Sequence, residues 1–309
     1  TPSASSAASD VYKRQKNNVI GKIQINHNLS KYTWFGVAGN AEIFYMPPNF
    51  EELAKVLEIN RDKLPVTVIG AGSNIIIRDG GIFGLVIKLG REFSQIKLHN
   101  DCIEVGAATY DRVLSNYCQK NEIGGMEFYF GIPGTLGGAV RMNAGCYNSE
   151  TKDVFIKAKC VDYRGQASEI RNSKELFSYR ESNIPQDMII CDVYMQKKNA
   201  SKNAISLKMK EVDEQRKKAQ PQQIKTAGST FKNPKDQTDK KAWEIIEEAG
   251  LKNFELQGIC FSSKHSNFIV NNQTKSANLI EDFGEYVRSD VKKKLGISLN
   301  WEIKIFGER

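Results

Sequence analysis

The sequence predicts a mixed helix-and-strand fold divided into more than one domain, and three observations predict it. The chain has 309 residues, beyond the size at which a single hydrophobic core usually stops growing. Short β-branched runs are interleaved with amphipathic stretches of helical period. Near residue 200, strand-and-glycine character gives way to a lysine-rich helix. With 40% apolar and 26% charged residues, the composition is that of a globular protein.

The elements follow in order. Residues 1–18 are rich in Ser and Ala, lack apolar periodicity and carry no apolar core for secretion, so they are expected to form a disordered tail. Ile20 to Ile25 reads as a strand. Asn49 is placed to cap a helix over Phe50 to Lys63, with Glu52 three residues on as in a capping box. Val66 to Ile69 is a β-branched run ending at a glycine cluster. Ile75 to Arg78 and Leu85 to Leu89 read as strands separated by the turn signal Asp79-Gly80-Gly81. Strand-like Ile103 to Gly106 precedes a helix from Asp111 to Asn121, with Val113, Leu114, Tyr117 and Cys118 on one face. Phe155 to Asp162 and Met188 to Met195 alternate as strands do. Ile205, Met209, Val212, Arg216 and Ala219 share a helical period that Pro221 ends. Asp239 to Ala249 is a second amphipathic helix, stopped by Gly250, and Leu279 to Leu295 a third, stopped by Gly296. Leu299, Trp301, Ile303 and Ile305 predict a closing strand, with Glu302 on its opposite face.

The formal charge of +8, from 44 basic and 36 acidic residues, is compatible with a nucleic acid, an anionic small molecule or a plain lysine bias. Eight basic residues against three acidic ones lie between Lys197 and Lys218 with no interleaved aromatic, which reads as a solvated helix face and not a base-stacking platform. No helix-turn-helix or aromatic RNA-binding motif is present, so no nucleic-acid partner is expected. The six cysteines form no CxxC pair and the three histidines show no ligand spacing, so no metal site is expected and the cysteines suggest a reducing cytoplasm. No run of about 18 uncharged apolar residues exists, which excludes a transmembrane helix.

Two glycine clusters stand out. Gly70-Ala71-Gly72-Ser73-Asn74 follows a strand and is compatible either with a phosphate-cradling nest or with a tight turn. It does not complete the dinucleotide fingerprint, since Ile75 holds the sixth position and a strand follows. Gly131 to Gly145 is denser, and its small residues suit close backbone approach to a large flat or polyphosphate ligand. Together the two point to a non-Rossmann nucleotide cofactor site. Three polar segments follow: Tyr179-Arg180-Glu181-Ser182, Gly228 to Pro234, and Trp301-Glu302. Arg180 can hold a carboxylate through its planar fork, yet each segment taken alone reads as an ordinary surface or turn.

In combination these segments carry more. Thr33 to Ala41, Val68 to Asp79, Gly131 to Gly145, Tyr179 to Ser182, Gly228 to Pro234, His265 to Asn271 and Trp301-Glu302 occur in an order that resembles the UDP-N-acetylenolpyruvoylglucosamine reductase family from about residue 20 to the end. Ala38 and Gly36 depart from the family's usual glycine and lysine at those positions. The resemblance implies an α+β fold: a two-subdomain FAD-binding module of the vanillyl-alcohol-oxidase type over 19–95 and 96–200, then a substrate-binding α+β domain over 201–309. It implies non-covalent FAD, NADPH as hydride donor and a UDP-sugar substrate of peptidoglycan synthesis, in a monomeric, cytoplasmic bacterial enzyme without a membrane partner. Arg180, Ser229 and Glu302 match the family's catalytic residues, and the short interval from Arg180 to Ser229 matches the subclass without a tyrosine-bearing substrate loop. Gly70, Ala71, Gly72, Ser73, Asn74, Gly131, Ile132, Pro133, Gly134, Thr135, Gly137, Gly138, Ala139, Asn143, Ala144 and Gly145 are the implied cofactor contacts. Arg216, Lys217, Lys232, Asn233, His265 and Asn267 are the implied substrate contacts. Another FAD oxidoreductase of the same type, acting on alcohols or lactones, would share the glycine clusters but has no use for the Ser229 and Glu302 segments.

Overall fold

The structure is a computed structural model that describes residues 19–309; the tail expected over 1–18 lies outside them. The chain forms two compact units. Among the described residues the first takes 19–27, 42–71 and 83–216, and the second takes 28–41, 72–82 and 217–309.

The first unit holds two sheets. In one, the strands run Lys22–Asn28, Asn40–Met46, Ile82–Ile87 and Val66–Val68 in spatial order, and the last two pair in parallel. The helix Phe50–Asn60 covers Ile43, Tyr45, Leu85 and Ile87 with Leu53, Val56 and Leu57, all fully buried. It starts where the sequence places it, since Asn49 Oδ1 accepts from Glu52 N at 2.9 Å. It ends three residues early, at Asn60, whose buried side chain donates to Leu64 O instead.

The second sheet is antiparallel, in the order Ala167–Arg171, Phe155–Asp162, Met188–Gln196, Cys102–Gly106 and Ile96–Leu98. Its inner face packs on the helices Asp111–Lys120 and Leu136–Arg141. One expectation fails here. Val113 is exposed, because Asp111, Leu114, Ser115 and Cys118 form the buried face. Within the second glycine cluster Leu136–Arg141 forms a short helix. Glycines at 137 and 138 are poor helix formers, but the turn is fastened from outside: Leu136 N donates to Thr109 O and Gly137 N to Ala107 O.

The lysine-rich helix spans Lys202–Ala219, and its residues up to Arg216 belong to the first unit. Ile205, Met209 and Val212 are buried there, and Gln119 donates to Ser206 across to the neighbouring helix.

The second unit is built on an antiparallel sheet of Glu255–Leu256, Ile259–Ser262 and His265–Asn271. Helices Ala242–Glu248 and Ala277–Leu295 pack on it around Ile245, Ile246, Ile269, Phe283 and Val287. Gly250 and Gly296 sit in the left-handed region at φ +77° and +72° and end these helices as expected. The closing strand is shorter than its pattern predicts. Only Lys304–Phe306 is extended, paired in parallel with Ile75–Ile77, because Glu302 N turns aside to donate to Thr230 O at 2.8 Å.

Candidate functional site

Each glycine cluster is shaped first by its own chain. A Cβ on Gly70 would lie 2.6 Å from Thr135 Oγ1, so within the first unit Gly70 backs directly onto the second cluster. The Lys88 ammonium, not singled out by the sequence, donates to Gly70 O at 2.5 Å; burial lowers its pKa. Ala71 follows, half-buried. In the second unit, Gly72 is at φ +71° and its Cβ would lie 1.8 Å from Tyr32 O, so no other residue fits. Ser73 is half-buried, and Asn74 donates to Glu302 O at 3.2 Å while its own carbonyl accepts from Lys304 N.

In the second cluster, Gly131 faces Val212 and Cys146, and Gly145 faces Ser149 O, at separations that leave no room for a Cβ. Ile132 and Pro133 are half-buried. Gly134 O accepts from Asp111 N, Thr135 bridges Tyr110, and Gly137 lies against Ala107. Ala139 O accepts from Ala144 N, and Ala144 O from Thr151 N. Gly138 differs from these: it is exposed, and a Cβ there would meet only Thr135 Oγ1, at 3.8 Å.

Arg180 is carried on a hairpin whose strands are Phe177–Ser178 and Glu181–Ser182. Its φ of +58° is left-handed, a conformation that costs a non-glycine residue about 1–2 kcal/mol. The guanidinium donates to Gly145 O at 3.0 Å, which fixes the second glycine cluster and the arginine to each other. Cys146 lies beside them. Burial pushes its thiol up to about 11, and the nearby Arg180 and Arg216 charges pull the other way. Arg216, half-buried on the lysine-rich helix, has its pKa lowered by desolvation. Two guanidinium groups are thus gathered around Cys146 in one unit, an arrangement that can receive an anion.

In the second unit, Ser229 and Glu302 lie on neighbouring segments. Thr230 O accepts from Glu302 N, and Phe231 bridges Trp301. Asn267 fastens the Ser229 segment to the strand His265–Asn271: its Oδ1 accepts from Phe231 N at 3.0 Å and its Nδ2 donates to Phe231 O at 2.9 Å. Asn233 Oδ1 accepts from Ala242 N, at the start of a helix. The side chains of both asparagines are therefore engaged within the unit. His265 accepts from Asn267 N through Nδ1 at 3.2 Å, its ring lies tilted against that of Phe268 with centroids 4.7 Å apart, and burial lowers its pKa. Lys232 is half-buried, with its N–H on Asn300 O. Lys217 is exposed, and its carbonyl accepts from the Lys264 ammonium.

Among the described residues no group of three or more His, Cys, Asp or Glu side chains is placed to hold a metal ion, and no helix is long and apolar enough to cross a membrane. Residues 41–171 match the family described as FAD binding domain. Residues 220–306 match that described as UDP-N-acetylenolpyruvoylglucosamine reductase, C-terminal domain. The UDP-N-acetylenolpyruvoylglucosamine reductase of Rickettsia akari is 44% identical over 290 residues, covering 94% of this chain and 97% of its own. That of Rickettsia felis is 43% identical over 289 residues, with the same coverage. The crystal structure of the enzyme from Thermus caldophilus aligns with 93% of this chain and 99% of its own, at a TM-score of 0.79 and 31% identity. The α+β expectation and the likeness read from the ordered motifs are both borne out, and the chain belongs to the UDP-N-acetylenolpyruvoylglucosamine reductase family.

Proposed function

We propose that the protein reduces the enolpyruvyl group of UDP-N-acetylglucosamine enolpyruvate to give UDP-N-acetylmuramate, a peptidoglycan precursor, with NADPH as the electron source and FAD as the bound cofactor. The observation that carries the reading is the Arg180 hairpin. It projects a planar cation from a strained turn locked onto the second glycine cluster, in a chain 44% identical over 94% of its length to a named reductase.

The residues present suit a dinucleotide. Gly138 leaves open space where a side chain would stand, and the desolvated Lys88 ammonium lies beside the first cluster. The accessible positions of the two clusters would line the cofactor by backbone, without covalent attachment. When bound, FAD would supply two-electron hydride-transfer chemistry between NADPH and the enolpyruvyl group.

The chain's own groups manage charge and protons. Negative charge builds on the enolpyruvyl carboxylate as C3 gains hydride, and the Arg180 guanidinium stabilises it more in the transition state than before it. The Ser229 hydroxyl gives its proton to C2, and the Lys232 ammonium, three residues on, stabilises the alkoxide left behind. Glu302 helps orient the enol carboxylate. Arg216, Lys217 and Lys232 supply positive charge for the UDP diphosphate, with Asn233, His265 and Asn267 bracing the segments that present it. In this reading residues 19–200 serve the cofactor and 201–309 the sugar nucleotide, in a monomeric bacterial cytoplasmic enzyme.

The alternative, a flavin oxidase of alcohols or lactones, leaves the joined Ser229 and Glu302 segments without a purpose. Two measurements decide. The purified protein should absorb near 450 nm, roughly the flavin maximum, and NADPH should be consumed only when the enolpyruvyl sugar nucleotide is added. A colourless protein, or consumption indifferent to that substrate, refutes the proposal.

A further inference from the structure

We infer that Asn143 is a positioning residue, whose buried amide fixes the hairpin that carries Arg180 and so sets where the guanidinium is presented. The inference rests on the role of Arg180 proposed above. Within the second glycine cluster Asn143 looks like a cofactor contact, yet it has no exposed surface. Its amide is used up inside the chain. Nδ2 donates to Ser178 O and to Glu150 Oε2, both at 2.9 Å, and Oδ1 accepts from Lys152 N at 3.0 Å.

The pattern around it is regular. Arg141 O accepts from Ser182 Oγ at 3.0 Å, Asn143 donates to Ser178 O, and Gly145 O accepts from Arg180 Nη2 at 3.0 Å. Three alternate residues of one segment therefore grip both strands and the tip of the hairpin. Asn143 is the grip made by an amide donor, and it braces Glu150 as well. Burial disfavours the charge on Glu150, but hydrogen bonds from Lys152 and Asn143, with the Lys152 and Arg180 charges, hold its pKa below the ordinary value. A carboxylate kept ionised near Arg180 restrains the guanidinium further.

The residue type follows from these duties. The position needs two donors and one acceptor on a short planar group, and a backbone at φ +39°, which asparagine tolerates better than most residues. Aspartate offers no donor when ionised, and glutamine carries its amide one carbon further out.

The test is a double-mutant cycle on the flavin-loaded enzyme, following re-oxidation by UDP-N-acetylglucosamine enolpyruvate after reduction by NADPH. Asn143→Gly keeps the left-handed backbone and removes the amide. Expected is a slowing of re-oxidation at least tenfold greater than any slowing of flavin reduction, and less than about twofold further slowing when the same change is made in Arg180→Ala. A purely structural role would slow both backgrounds alike, and that result overturns the inference, as does an Asn143→Gly enzyme as fast as wild type. If Asn143→Gly does not fold, Ser182→Ala removes a neighbouring grip and must show the same dependence on Arg180. Wild-type enzyme that cannot reduce the enolpyruvyl sugar, or Arg180→Ala as fast as wild type, overturns the functional reading and this inference with it.

Discussion

Replacing Asn267 by alanine isolates the clamp that holds the Ser229 segment to the strand His265–Asn271. The side chain is buried and makes two hydrogen bonds, accepting from Phe231 N and donating to Phe231 O. Phe231 is itself buried at 1% exposure, so both of its backbone groups would be stranded away from solvent. Leaving one buried polar group unsatisfied costs about 1–3 kcal/mol. Water entering the space left by the amide would recover part of that, so about 2–4 kcal/mol is expected for the pair. The three tryptophans, Trp34, Trp243 and Trp301, all lie in the second unit, so their fluorescence during urea unfolding reports on the unit that holds the clamp. With a slope of about 2 kcal/mol per molar urea, the midpoint should fall by about 1–2 M at unchanged slope. A fall below about 0.3 M would show that Phe231 is satisfied without Asn267, and the clamp argument would fail.

The other predictions are briefer. Ser229→Ala should leave flavin reduction by NADPH intact and nearly abolish reduction of the enolpyruvyl substrate; two surviving half-reactions in stopped-flow traces would remove the serine from the mechanism. Substrate affinity should weaken as salt rises, because Arg216, Lys217 and Lys232 would meet the diphosphate electrostatically, and an unchanged KM from low to high salt argues against those contacts. Gly72→Ala should unfold the second unit or cost more than about 3 kcal/mol, since its Cβ would sit 1.8 Å from Tyr32 O, whereas Gly228→Ala, with nothing within 4 Å, should cost only about 1–2 kcal/mol for its left-handed backbone; equal costs in urea titrations would refute the contrast. Glu281 is held below the ordinary glutamate pKa by hydrogen bonds from Arg78, against the opposing effect of burial. Its stabilisation is therefore full above the unfolded-state value of about 4.3 and lost as pH falls through the lower folded-state value. Glu281→Gln should flatten that acid limb, and an unaltered limb in pH-dependent melting would show that the pair contributes nothing.

What the sequence discloses here is local. The cap at Asn49 and the stops at Gly250 and Gly296 depend on a residue and its near neighbours, and each lies where the pattern puts it. What it conceals depends on distant chain. The helix Leu136–Arg141 runs against the propensity of its glycines, because its first N–H groups are taken by Thr109 and Ala107. Val113 carries an apolar side chain on the outward face because the inward positions fall to Asp111 and Ser115. The closing strand loses its first residues to Thr230 O, more than seventy positions away. The arrangement by which 28–41 and 72–82 join the C-terminal residues has no local signature at all.

The same distinction governs the candidate site. Glycine, asparagine and serine mark ligand-binding loops because they permit close approach and offer compact hydrogen-bonding groups, but a tight turn asks for the same properties. Sequence alone therefore reads Gly72, Asn143 and Asn267 as contacts of the same kind as Gly138 and Ser229. Their surroundings separate them. Gly72 is filled by Tyr32 O, and the amides of Asn143 and Asn267 are spent on backbone carbonyls and N–H groups with little or no surface left. Gly138 is open, and Ser229 and Arg180 retain accessible surface. A ligand can meet only what is accessible. The buried members of the motif must act, if they act on the chemistry, through the residues they hold, and losing one should displace a working group without removing it. That predicts a graded signature for Asn143 and Asn267: activity lost together with local order, in contrast to Ser229, whose loss should leave the fold untouched and stop a single chemical step.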